Sequence, residues 1–306
     1  MILVTSYTNP DLDGTACTFA YSEFLNKTRK EAIAGIFGTP DKEAKFVMDK
    51  FCIGRMKDAN KIIKKCDDII LVDASELSGI SNFIEPSKVS EIIDHRKINQ
   101  SDKFQNARIQ IDFVGSAATL IAEKFYNLKV EMSKESAALL ASAIVSNTIN
   151  FKANVTTKRD KNMYEWLLTK VKFSKNYTHD MFVYKSEIDK PLKKFFLEDK
   201  FAVWDFNGTK VSAVQIEMVD LKNFIDKNIT KINKVLLEIK NERQIDAIFL
   251  TSIDIEKGFN IFVVIDEMSR KILSEALKIK FKGLTARREG IIMRKEIVPL
   301  VKDVMS

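Results

Sequence analysis

The sequence predicts an α/β protein, with an N-terminal parallel-sheet domain and a smaller C-terminal α/β domain with a mixed sheet. Three observations carry this. Short apolar runs alternate with helical stretches through the first half, the pattern of strand–helix–strand units. Acids and a histidine follow three of those apolar runs directly. Around residues 180 to 195 the pattern breaks at the charged stretch "KSEIDKPLKKFF", and paired strand signals take over beyond it. Residues 1–180 are read as a metal-binding domain, 181–194 as a linker and 195–306 as a second domain.

Taken in order, "MILVTSY" reads as a strand, and "GTACTFAYSEFLNKT" as an amphipathic helix with Ala16, Phe19, Ala20 and Phe24 at helical spacing. "EAIAGIFG" is the next strand. "TPDKEAKFVMDKF" is a helix that Thr39 and Pro40 open as cap and first position. "DDIILVDAS" is a buried strand and "VSEIIDHR" another. "GSAATLIAEKFYNL" and "SKESAALLASAIVSNTI" are helices, the second capped by Ser133 with Glu135 in its first turn. Past the break, Asn207-Gly208 marks a hairpin. "LKNFIDKNITKINKVLLEIKNE" is a helix, and "IDAIFLTSIDI" pairs with "GFNIFVVID" around a short turn.

Composition narrows the class. The 306 residues fit two domains of ordinary size. Apolar residues make up 45% and charged residues 30%, as in globular proteins. No apolar run reaches the roughly 18–20 residues of a membrane span, and no basic region precedes an apolar core as in a signal peptide. Cys17, Cys52 and Cys66 form no CxxC pair. That argues against a zinc ribbon or a disulfide framework, and for buried small hydrophobes in a reducing cytoplasm. The net charge of +7 suits nucleic acid or an anionic small molecule alike. The basic residues are spread evenly, so nucleic acid is not the expected partner, and with no spanning apolar run neither is a membrane.

The strand ends carry the chemistry. Asp11 and Asp13 follow the first strand, Asp73 ends "IILVD", and Asp94 and His95 end "EIID". Open parallel sheets bind ligands at the carboxyl ends of their strands. Carboxylates suit hard cations such as Mn2+ or Mg2+, and imidazole tolerates Mn2+. One carboxylate can bridge two ions, and Asp73 is the best placed to do so. Two ions about 3.5–4 Å apart activate water and hold a phosphoryl group in line. Any one of these acids alone reads equally as a cap or loop residue, Asp13 ahead of a helix start at Gly14 above all. Only their convergence on one edge favours a site. His179 has no such placement. Near the C-terminus "TARREGIIMRKEIVP" holds Arg287, Arg288, Arg294 and Lys295, either a solvated basic face or a clamp for phosphate oxygens.

"NPDLDGTACTFAYSEFL", "LVDASE", "EIIDHRKI" and "SAIVSNTINFK" appear in that order. Together they resemble the four motifs of the DHH phosphoesterase superfamily. They are most similar to those of the manganese-dependent (family II) inorganic pyrophosphatases and their exopolyphosphatase relatives. "MRKEIVPLV" is similar to the Arg-Lys signature of the DHHA2 domain that these proteins carry. The resemblance covers nearly the whole chain. It implies an active site in a cleft between the domains, one or two Mn2+ (or Mg2+ or Co2+) ions, a phosphate-containing small-molecule substrate, and a homodimer through the first domain's sheet edge. It implies catalytic roles for Asp11, Asp13, Asp73 and His95, and metal ligation by these four with Asn147. Substrate contacts fall on Arg96, Arg294, Lys295 and Lys200.

The departures from the family pattern are specific. Tyr7 stands where the pyrophosphatases have a metal-binding histidine, Arg96 where they have a second histidine, and Asn147 where they have an aspartate. A further substrate lysine aligns with Ala202, with Lys200 close by. One metal site is therefore nearly whole, from Asp13, Asp73, His95 and Asn147 as a neutral oxygen ligand. The other keeps Asp11 and Asp73 and loses its histidine. The expected function is a metal-dependent phosphohydrolase that cleaves a phosphoanhydride or phosphodiester bond of pyrophosphate, a short polyphosphate or a nucleotide. The alternatives are a catalytically reduced phosphate- or nucleotide-binding regulator on the same fold, and a nuclease.

Overall fold

The computed structural model describes residues 1–97, 99–198 and 200–305. It divides into two compact units, Met1–Tyr184 and Lys185–Ser306. In the first, β1 (Ile2–Thr5), α1 (Leu12–Lys27), β2 (Ala32–Ile36), α2 (Lys42–Lys50), β3 (Lys57–Asp58), α3 (Ala59–Ile62), β4 (Asp68–Val72), β5 (Val89–Asp94) and β6 (Arg108–Ile111) are followed by α4 (Ala117–Asn127), α5 (Lys134–Asn147), α6 (Lys158–Leu168) and α7 (Tyr177–Ser186). The strands form one sheet in the order β3-β2-β1-β4-β5-β6, every pair parallel. The order reverses between β1 and β4, so the ends of these two strands flank the switch point where such sheets bind ligands.

The central strands are apolar because both faces are covered. Leu3, Ile69, Leu71 and Ile92 pack with Phe37 and Phe104 in one cluster. α1 and α5 are buried almost all round, so α1 has no amphipathic stripe and Phe19 is half-buried. Small residues permit that packing. A Cβ on Gly14 would stand 2.5 Å from Ser6 Oγ, which only glycine avoids.

Local signals shifted in three places. α1 begins at Leu12 with Asp11 as its cap, not at Gly14, so Asp13 lies inside the first turn. α2 is capped by Asp41, whose carboxylate accepts the Ala44 N–H at 2.7 Å, not by Thr39-Pro40. An ionised acceptor there also complements the helix dipole. Cys17 and Cys66 are buried, but Cys52 is exposed, because it sits with φ 54° in the turn after α2. The stretch read as a linker, 181–194, holds the end of α7 and the start of the next helix.

The second unit runs α8 (Leu192–Leu197), β7 (Phe201–Phe206), β8 (Thr209–Met218), α9 (Leu221–Glu242), β9 (Ala247–Asp254), β10 (Phe259–Val264), α10 (Glu267–Leu277), β11 (Thr285–Glu289) and α11 (Arg294–Met305). Its mixed sheet has the order β11-β10-β9-β8-β7, with β8 and β9 parallel and the other pairs antiparallel. Asn207 and Gly208 take φ 53° and 85°, as a two-residue hairpin requires. Successive strand residues alternate between faces. Ile248 and Leu250 pack with Ile225, Ile232 and Leu236 of α9, while Ala247 and Phe249 pack with Leu273 of α10 and Ile297 of α11. Among the described residues no helix is long and apolar enough to cross a membrane.

Candidate metal centre

Asp11 lies between β1 and α1 and Asp13 in the first turn of α1, Asp73 follows β4, and Asp94 ends β5 with His95 next after it. One ligand atom each from Asp13, Asp73 and His95 lies within 4.8 Å of the others, a grouping that could hold a metal ion. Asp11 is not part of it. Its carboxylate accepts the Gly14 N–H at 3.0 Å as the α1 cap.

Asp13 is fully buried and densely hydrogen-bonded. It accepts Ser116 Oγ–H and the backbone N–H groups of Ala117 and Ala118, all at 2.9 Å. These are the orphan donors of the α4 N-terminus, which favours an anion. Asn147 at the end of α5 donates Nδ2–H to Asp13 at 2.5 Å. Asn147 was expected as an oxygen ligand; it turns its nitrogen to the acid because an amide donor beside a buried carboxylate is favourable. Burial pushes the Asp13 carboxyl up, against the neighbouring His95 charge.

Asp73 differs. Its side chain is 1% exposed, yet neither carboxylate oxygen accepts a hydrogen bond. Its backbone is held at φ 52°, a left-handed conformation that costs a non-glycine residue about 1 kcal/mol or more. His95 Nε2 and Arg96 Nη2 each stand 3.4 Å from Asp73 Oδ1. Burial pushes Asp73 well above the usual carboxylate range; Arg96 opposes this and Asp13 adds to it. A buried carboxylate with only two 3.4 Å ionic contacts, both on Oδ1, and no hydrogen bond of ordinary geometry is a group whose charge a cation would compensate.

His95 completes the set. Nδ1–H donates to the Val114 carbonyl at 3.0 Å, which leaves Nε2 aimed at Asp73 and, 3.8 Å away, at Asp13. That tautomer is the one a metal needs. Burial alone would lower the imidazole; hydrogen bonding and charge from Asp73 and the charge of Asp13 outweigh it and raise it to about 9. Asp94 faces elsewhere. It accepts Ser75 Oγ–H, the His95 N–H at 2.7 Å, and Arg96 Nη1–H at 3.2 and 3.3 Å.

Arg96 donates Nη1–H to the Asp73 carbonyl at 2.6 Å, and its guanidinium carbon lies 5.5 Å from the centre of the Tyr7 ring. Tyr7 Oη accepts the Asp11 N–H at 3.1 Å. Burial first, then the charges of Asp11 and Asp73, hold the phenol well above its ordinary value, so Tyr7 stays neutral.

In the second unit, Arg294 opens α11 and is half-buried. It donates Nη1–H to the Lys200 carbonyl and its backbone N–H to Gln215, both at 2.6 Å. Burial lowers its guanidinium and Glu217 raises it. Among the described residues no carboxylate forms an ion pair with Arg294. Lys295, next in the helix, is exposed. The basic cluster does not act as one group. Arg287 on β11 pairs with Glu289 at 2.6 Å and stacks 3.8 Å from the Phe259 ring, and Arg288 donates to the carbonyls of Glu289 and Gly290.

Four contributors were not legible in advance: Ser75, Ser116, the α4 N-terminal amides and the Val114 carbonyl. "VGSAA" signals a helix start, but nothing local says that Asp13 is what it meets.

Residues 1–144 match the DHH family, N-terminal domain. Over 311 residues the chain is 30% identical to the manganese-dependent inorganic pyrophosphatase of Methanocaldococcus jannaschii, covering 98% of this chain and 97% of that protein. It is 26% identical over 305 residues to a probable manganese-dependent inorganic pyrophosphatase of Clostridium acetobutylicum, covering 98% and 96%. A crystal structure of a Methanococcus jannaschii protein assigned to the family II inorganic pyrophosphatases matches with a TM-score of 0.75 at 28% identity, covering 100% of this chain and 99% of that one. Fold, acidic strand ends and relatives together define a metal-dependent phosphohydrolase. The chain belongs to the DHH family, in the branch of its full-length relatives, the manganese-dependent inorganic pyrophosphatases.

Proposed function

We propose that this chain is a cytoplasmic hydrolase of inorganic pyrophosphate that works with Mn2+ held by Asp13, Asp73 and His95. The observation that carries the reading is the buried Asp73 carboxylate, which accepts no hydrogen bond of ordinary geometry and faces His95 Nε2 at 3.4 Å. The names of the full-length relatives support both the ion and the substrate. When bound, such an ion acidifies a water and neutralises phosphoryl oxygens. The chain's own residues do the rest. Val114 fixes the His95 tautomer. The α4 N-terminus and Asn147 donate hydrogen bonds to Asp13 and fix its carboxylate in place. Asp11 orders the α1 start, and Arg96 offers a fixed cation.

For the second unit the reading assigns phosphate contacts to Arg294, Lys295 and Lys200. Arg294 and Lys295 stand at the N-terminal end of α11, with Glu296 in the same turn, and a helix N-terminus favours an anion. A homodimer through an edge of the first sheet belongs to the same reading, and sedimentation tests it.

The test is phosphate release from pyrophosphate by metal-stripped protein given Mn2+, Co2+ or Mg2+, beside Asp73→Asn. Metal-dependent turnover, lost in the variant, is expected. Intact Mn2+ binding without turnover of pyrophosphate, polyphosphate or nucleotides favours the second reading, a phosphate-binding regulator. The changed residues Tyr7, Arg96 and Asn147 are the observation on its side.

A further inference from the structure

The residues fit one ion and do not fit two. On the His95 side of Asp73 stand Asp13 and an imidazole nitrogen with the right tautomer. On the Arg96 side the arrangement is reversed in sign. Arg96 is tied to Asp73 by its carbonyl at 2.6 Å and its carboxylate at 3.4 Å, and to Asp94 at 3.2 Å. Tyr7 lies under the guanidinium as a neutral phenol whose oxygen already accepts the Asp11 N–H. Asp11 caps α1 through Oδ1. A second divalent ion there would meet the permanent positive charge of Arg96 and a neutral phenol, with no imidazole on that side among the described residues.

We propose that the centre binds one divalent ion per chain, on Asp13, Asp73 and His95, and that the Arg96 guanidinium takes the position and charge of a second ion. This rests on the assignment of Asp13, Asp73 and His95 as metal ligands. The guanidinium suits that role. It is planar, always charged and set over Tyr7; Nη1 is bound to the Asp73 carbonyl and Nη2 lies 3.4 Å from Asp73 Oδ1, and the 36% of the side chain that stays exposed is what a phosphoryl oxygen can approach. A cavity of about 190 Å3 opens beside it, lined by Tyr7, Ala74, Ser75, Glu76, Gly79 and Arg96 itself. A phosphoryl oxygen can reach the guanidinium from that side, with the Glu76 carboxylate on the cavity wall opposing a second anionic group. The reacting group would then lie between one metal ion and one arginine, in place of a symmetric two-ion clamp.

The deciding measurement is the Mn2+ count per chain on metal-stripped wild type, by equilibrium dialysis, with the electron paramagnetic resonance spectrum of the loaded protein. One ion with an isolated six-line spectrum is expected. Two ions with a spin-coupled spectrum in the wild type overturn the proposal. No ion overturns the metal-centre reading itself, and the proposal with it, so the two failures are distinguishable. The count on wild type needs no variant to fold. Tyr7→His combined with Arg96→His should raise the count to two, and a count that stays at one overturns the role given to these two residues. Arg96→Gln should still bind one ion while kcat/KM falls roughly 100- to 1,000-fold, as for loss of a fixed transition-state donor. An unchanged kcat/KM overturns the assignment of Arg96 to the phosphoryl group.

Discussion

His95 Nε2 stands 3.4 Å from the Asp73 carboxylate while Nδ1 of the same ring is tied to the Val114 carbonyl at 3.0 Å. One contact sets the tautomer and the other shows what that tautomer faces. The ring therefore links β5 and the turn before α4 to the acid at the end of β4. The centre's response to metal and to pH follows from this link.

Asp73→Asn separates stability from binding. Folding raises the Asp73 carboxyl, so its charge costs the metal-free protein stability at neutral pH. The metal-free variant should melt at or above the wild-type temperature. Its Mn2+ affinity should fall by at least about 100-fold, the upper range for disturbing even a ligand's outer partners. Calorimetric melts and titrations read both. A metal-free variant that melts several degrees lower would mean that Asp73 holds the fold, not an ion.

Mn2+ affinity should rise with pH up to about 9. The His95 imidazole is raised to about 9 in the metal-free protein, so an ion must displace its proton. The same raised value stabilises the metal-free fold below 6.5, and that contribution is lost as pH rises through 9. Titration in buffers of different ionisation enthalpy should show proton release at pH 7 and little at pH 9.5. Equal release at both would sink this account.

Asn147→Asp should pull the two states apart. Asn147 donates to Asp13 at 2.5 Å, and an aspartate there would set a second, partly buried carboxylate against Asp13. The metal-free protein should lose about 1–3 kcal/mol, the cost of a lost partner to a buried charge, while Mn2+ binding tightens. The gap between metal-free and Mn2+-loaded melting temperatures should widen; a narrower gap contradicts the placement of Asn147 beside the ion.

Arg294→Ala should raise KM for pyrophosphate about 10- to 100-fold and leave Mn2+ affinity unchanged. A charge-assisted contact to a phosphate oxygen of about 1.5–3 kcal/mol sets that range. Arg294→Lys should recover only part of it, because a point charge does not replace the fork. Steady-state kinetics beside a metal titration check it. A change in metal affinity instead would remove Arg294 from the substrate-binding role.

Much of the fold was legible from local pattern. The apolar runs "IILV" and "EII" became central strands because burial on both faces demands continuous apolar residues. Asn207-Gly208 turned the hairpin because only such residues take positive φ cheaply. Ser133 caps α5 as its position before the helix implies. β6 escaped notice because it is an edge strand whose residues are exposed or half-buried, so "RIQI" carries no burial signal. The Asp11 cap was missed because two acids two residues apart offer the same chemistry, and only backbone geometry chooses between them.

By itself the sequence determined the two sheets, the acids and histidine that end three parallel strands, and the family whose motifs they form. Those follow from periodicity and from which residue ends which strand. Only the tertiary structure decided which groups share an environment: that Asp13 accepts from the α4 N-terminus and Asn147, that the Asp73 carboxylate accepts no hydrogen bond of ordinary geometry, and that Arg96 lies across Tyr7 against Asp73. The reason is physical. Hydrophobic period is a local property of the chain, but desolvation, charge pairing and hydrogen-bond satisfaction are set by neighbours far apart in sequence, which only the folded packing brings together.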